Sequence, residues 1–126
     1  MADDKKFKIL IVEDDAMISG MYKTKLTQDG YEVLIAADGF NALQTAKQEK
    51  PQLIMLDVIL PQLDGFSVLT ELKADLDTKN IPVIMLTNLG TDEDRKKGEQ
   101  LGAIDYLVKA SFTPAEVSKK VGELLK

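Results

Sequence analysis

Leu53-Ile54-Met55-Leu56-Asp57 decides the fold. An unbroken apolar run of this length, closed by an acid, reads as a strand buried on both faces. Such a strand belongs to a parallel sheet covered by helices, and ligands sit outside the carboxyl ends of its strands. Asp57 stands at that end. The same design recurs on either side. Lys8 to Val12 is a compact apolar run, Tyr31 to Ala36 a second strand, Pro82 to Leu86 a fourth, and Ile104 to Val108 a fifth.

Amphipathic stretches fill the gaps. Ala16 to Asp29 predicts a helix, with Ile18, Met21, Tyr22 and Leu26 near helical spacing and Gly30 at the place of a C-terminal cap. Asp38-Gly39 is a turn, and Phe40 to Glu49 a second helix stopped before Pro51. Asp64 is a candidate N-cap for a helix that runs from Gly65 to about Leu76. Thr91 to Leu101 is a polar helix ended by Gly102. Thr113-Pro114-Ala115-Glu116 is a capping box with proline at the first helical position, opening a last helix to Leu125. Five strands alternating with helices predict a doubly wound α/β domain with helices on both faces. One domain is expected over residues 1–126, with its core at about 8–125.

Composition narrows the chemistry. The 126 residues contain neither cysteine nor histidine. That excludes disulfides, Cys/His zinc sites, cysteine nucleophiles and histidine general bases from this chain. A bound metal must be a hard cation held by oxygen. Sixteen basic against 21 acidic residues give a net charge of −5, a poor footprint for direct nucleic-acid contact. No apolar run is long enough to cross a membrane, and Met1 to Lys8 lacks the apolar segment of a signal peptide, so a cytoplasmic location is expected.

The residues just past the strands carry the functional signal. They are Glu13, Asp14 and Asp15 after the first strand, Asp57 after the third, Thr87 after the fourth and Lys109 after the fifth. In a parallel sheet all converge on one crevice. Crowded carboxylates repel, and a divalent cation among them relieves the repulsion. Mg²⁺ takes one or two carboxylates and also binds phosphate oxygens. A carboxylate nucleophile, a metal, a lysine and a hydroxyl are the parts of a phosphoryl-transfer site, with an aspartyl phosphate as product.

Ile11-Val12-Glu13-Asp14-Asp15, the run from Asp57 through Pro61 to Asp64-Gly65, Leu86-Thr87, and Gly102 through Tyr106 to Lys109 together resemble the response-regulator receiver domain of bacterial two-component systems. The resemblance is to its single-domain, chemotaxis-regulator-like form, and it covers about Lys8 to Leu125. It implies a flavodoxin-like strand order 2-1-3-4-5 with five helices. It implies that Asp57 accepts a phosphoryl group from a histidine kinase or phosphotransfer protein, with Mg²⁺ as cofactor. Asp14 and Asp57 would ligate the ion directly, Glu13 through water, and Ile59 through its backbone carbonyl. Thr87 would bond a phosphoryl oxygen. Lys109 would pair with Asp57 and then with the phosphoryl group. Tyr106 would be the aromatic switch that turns inward as Thr87 moves. The fourth helix, fifth strand and fifth helix would present the changed surface to a protein target. The molecule would be a monomer or a phosphorylation-dependent homodimer. No output domain follows the last helix, so output by protein contact is expected unless the chain is an excised piece.

The chain departs from the family at four places. Ala110 follows Lys109 where proline is usual, often after a cis bond, and Phe112 comes one residue late, so an altered loop is expected there. Asn88 stands where a small residue is common. Ile59 and Leu89, both apolar, occupy positions that flank the attacking water in the family, which predicts slow dephosphorylation.

Plainer roles compete with several of these. Asp15 reads first as the cap of the first helix, and Asp14 has the same option. Thr87 and Tyr106 suit any strand. The charged helix from Thr91 to Gln100 is most simply a solvated face. Three other functions compete too. A phosphohydrolase would want an acid at position 59. A nucleotide or flavin domain would want a glycine-rich loop after a strand. A pure interaction module would have no need of the acids, hydroxyl and lysine.

Overall fold

The computed structural model describes residues 7–88 and 90–125. Leu89 and the first six residues, on which part of the signal-peptide reading falls, lie outside the described residues. The elements alternate without exception: β1 (Lys8–Val12), α1 (Ala16–Gln28), β2 (Glu32–Ala36), α2 (Gly39–Glu49), β3 (Leu53–Leu56), α3 (Gly65–Ala74), β4 (Val83–Thr87), α4 (Asp92–Gln100), β5 (Asp105–Val108) and α5 (Pro114–Leu124). All strand pairs are parallel, in the order β2-β1-β3-β4-β5.

The two-residue period of the strands divides the core into two layers. Leu10, Val12, Ile54, Leu56, Val83, Met85 and Tyr106 face the layer shared with Ala42, Ala46, Leu69 and Leu72 of α2 and α3. Their neighbours Ile9, Ile11, Leu53, Met55, Ile84, Leu86 and Leu107 face Tyr22 and Leu26 of α1 and Val117 and Val121 of α5. β1, β3 and β4 are central strands covered on both sides, which is why their sequences are apolar without alternation.

The helix ends follow side-chain chemistry. Asp15 accepts from the amides of Met17 and Ile18, Asp38 from Asn41, Asp64 from Ser67, and Thr91 from Asp94. The capping box Thr113/Glu116 is formed in both directions. Boundaries differ from the sequence reading by one or two residues. β3 stops at Leu56, although the Asp57 amide still donates to Val12 O at 3.1 Å. α3 stops at Ala74 rather than near Leu76, because Asp75 turns extended and the Thr78 hydroxyl caps Leu72 O at 2.7 Å. Met21, though helically spaced with Tyr22 and Leu26, is 46% exposed.

Candidate functional site

Register brings the acids together. Val12 pairs with Leu56, so the next residues, Glu13 and Asp57, lie side by side past the ends of β1 and β3. These strands adjoin although they are not consecutive, and the chain leaves β1 into α1 on one face and β3 into α3 on the other. That is the switch point where a doubly wound sheet opens a crevice. Thr87 pairs with Val108 on the far side, so Lys109 begins just beyond it.

The result is one cleft of about 260 Å³ lined by Glu13, Asp14, Asp15, Ile18, Asp57, Ile59, Thr87, Asn88 and Lys109. Lys109 Nζ donates to Asp57 Oδ2 at 2.7 Å and also to Glu13 Oε1. All three side chains are nearly closed to water, at 8%, 10% and 5% exposure for Lys109, Asp57 and Glu13. Glu13 Oε2 accepts from the Asp15 amide, and Asp57 Oδ1 accepts from the Ile59 amide at 3.3 Å. Thr87 is fully buried; Asp14 and Asn88 are exposed at the rim.

Electrostatics follow from this packing. Burial lifts the Glu13 carboxyl above its usual range despite the Lys109 bond. Burial alone would lower the Lys109 ammonium, but its bonds to Asp57 and Glu13 outweigh that and hold it above the ordinary lysine value. One ammonium is therefore shared between two buried acids. A pair of buried carboxylates without it would be costly.

The backbone is shaped to hold Asp57. A Cβ on Gly65 would lie 2.0 Å from the Asp57 carbonyl oxygen, so only glycine lets α3 begin against the end of β3. The intervening loop turns through Gln62 at φ 69°. In the β5–α5 loop no described peptide bond is cis, and Lys109 to Ser111 form a single 3₁₀ turn.

The donor set suits a small hard cation. The lining offers four carboxylates, with Asp15 already engaged as the cap of α1, and neither histidine nor cysteine. Among the described residues no group of three or more acids is arranged to hold a metal ion by itself. An ion here would take one or two of these carboxylates and complete its shell with water and phosphate oxygens.

The sequence reading brought Asp14, Glu13, Asp57, Ile59, Thr87 and Lys109 to one place, and the structure places all six on this cleft. Tyr106 lies outside it, buried at 4% exposure beneath α4. The Glu13–Lys109 pair and the close approach at Gly65 were not foreseen. Both depend on distances across the sheet that no local pattern encodes. Leu89 lies outside the described residues.

The comparisons agree with one another. Residues 9–121 match the response regulator receiver domain model. A probable transcriptional regulator, ycf27 of Cyanophora paradoxa, is 46% identical over 121 residues, which is 96% of this chain and 49% of that protein. The chain thus spans about half the length of the curated relatives it matches. The chemotaxis protein CheY4 of Vibrio cholerae superposes with a TM-score of 0.89 at 33% identity, covering 96% of this chain and 100% of that one. The receiver domain of the sensor histidine kinase PA1611 of Pseudomonas aeruginosa, solved with a magnesium ion coordinated in its active-site cleft, superposes at 0.86 with 32% identity over 96% and 98%.

Proposed function

This chain belongs to the response regulator receiver family, and from that membership we propose that Asp57 is its phosphoacceptor, loaded from a phosphohistidine of a sensor kinase or phosphotransfer protein. A carboxylate oxygen of Asp57 attacks phosphorus. The new O–P bond forms as the P–N bond breaks, and the departing imidazole nitrogen keeps the electron pair and takes a proton from water. The observation that carries this reading is the ammonium of Lys109 held on Asp57 and Glu13 in a cleft that Asp14 and Thr87 also line.

Asp14 and Asp57 are the candidate direct ligands for Mg²⁺, with Glu13 through water and the Ile59 carbonyl completing the set. Bound there, the ion would neutralise charge on the phosphoryl oxygens. Lys109 gives a point charge that follows the phosphoryl group once Asp57 no longer carries the anion. The Thr87 hydroxyl donates to a phosphoryl oxygen. The added charge biases Thr87 and Tyr106, and with them the surface of α4, β5 and α5. This is a signalling receiver rather than a turnover enzyme: Ile59 stands where a phosphohydrolase would carry its acid. The output falls to a protein partner or to residues outside this chain. Among the described residues no helix is long and apolar enough to cross a membrane.

Ile59 is 62% exposed on the cleft wall and has no group that can orient or deprotonate water. Slow loss of phosphate follows, and Ile59→Asn is expected to speed it; an unchanged half-life would count against this role. The acceptor itself is tested by incubation with Mg²⁺ and a small acyl phosphate. Intact mass should rise by one phosphoryl group, and Asp57→Asn should stay unmodified. Equal uptake by Asp57→Asn would refute the assignment.

A further inference from the structure

Among the described residues α4 is the one helix without an apolar side chain: Asp92, Glu93, Asp94, Arg95, Lys96, Lys97, Gly98, Glu99, Gln100. Burial of side chains does not dock it. What meets the sheet is backbone at Gly98, where an added Cβ would lie 3.2 Å from Tyr106 Cδ2 and 3.4 Å from Met85 Cγ. Arg95, three residues earlier, shares that helix face. Its guanidinium carbon stands 5.3 Å from the centroid of the Tyr106 ring, and Nη1 donates to the Tyr106 carbonyl at 2.9 Å.

We propose that Arg95 is a positioning residue that holds the Tyr106 ring in its buried orientation and makes the docking of α4 depend on that orientation. The inference rests on the reading of Tyr106 as the switch aromatic. The carbonyl bond fixes the guanidinium on the β5 backbone, and the planar group then covers the ring of the same residue. Rotation of the ring outward would leave the carbonyl bond but remove the stack, and Gly98 would face a gap. Arg95 thus converts a side-chain rotation in β5 into a loosening of α4. A second cation serves as an internal contrast. Lys97 lies over the Phe66 ring of α3 at 4.7 Å and holds α4 without touching Tyr106.

The test uses the unphosphorylated chain labelled with 3-fluorotyrosine. There are three tyrosines, Tyr22, Tyr31 and Tyr106, and Tyr106→Phe assigns the third fluorine signal. Arg95→Ala should move the Tyr106 signal toward the solvent value, leave the other two in place, and speed amide exchange across 92–100 by about tenfold. Lys97→Ala should speed that exchange and leave the Tyr106 signal unmoved. An unmoved Tyr106 signal in Arg95→Ala, an equal shift in Lys97→Ala, or full restoration by Arg95→Lys would each overturn the proposal. No phosphate enters this experiment, so its failure leaves phosphoryl transfer to Asp57 intact, and failure of that transfer is read separately.

Discussion

The acidic cleft and α4 handle charge in opposite ways. In the cleft three ionisable side chains are buried and locked together, on a floor of apolar strands that leaves them no freedom. In α4 eight of nine residues are polar or charged, Gly98 is the buried one, and the helix is held by cations laid over aromatic rings. Buried pairs are costly to break, whereas exposed cation–π contacts contribute about 0.5–1 kcal/mol each. On the proposed function, the fold fixes the place where phosphoryl transfer would occur and holds only lightly the element that would report it.

Substitutions should separate the two regions by size of effect. Gly65→Ala is expected to do most damage, roughly 3 kcal/mol in chemical denaturation, because the new methyl overlaps the Asp57 carbonyl. Phosphate uptake should fall with it. A neutral result would mean that α3 can slide away from β3 freely. Lys109→Ala comes next. It leaves Glu13 and Asp57 facing each other without a cation, at a cost of about 2 kcal/mol once solvent access to the cleft is allowed for. Added Mg²⁺ should recover part of that loss; no recovery would argue against ion binding by these acids.

The smaller effects sharpen the contrast. The raised Lys109 value means that the folded state holds this proton more tightly than the unfolded chain does. Its stabilising contribution is complete below the ordinary lysine value of about 10.4 and is lost as pH rises through the higher folded value. Unfolding midpoints should therefore drop in that alkaline window, and Lys109→Met should lack this part of the drop. Smallest of all, Lys97→Ala should cost about 0.5 kcal/mol, measured by thermal denaturation. A loss as large as that of Lys109→Ala would erase the distinction between a locked cleft and a lightly held helix.

Much of this was legible in the sequence because it is local. Apolar runs such as Leu53 to Leu56 announce central strands, and the acid, hydroxyl or lysine after each run is placed by topology. Asp15, Asp64, Thr91 and Thr113 cap as their residue types predict. What stayed hidden is set by distance across the sheet. Nothing near Glu13 in sequence points to Lys109, 96 residues away. Glycine at position 65 reads as a helix start, and the carbonyl it must clear appears only in three dimensions. The polar run of α4 reads correctly as solvated, but the one arginine that lies over the Tyr106 ring looks like its neighbours.

The most direct measurement traps the phosphorylated chain with borohydride, which reduces an aspartyl phosphate to homoserine, and maps the peptides. Homoserine at position 57, appearing only when Mg²⁺ and a phosphodonor are both supplied, is the expected result. Homoserine at Glu13's neighbour Asp14 instead, or none anywhere with a competent donor, would contradict the account.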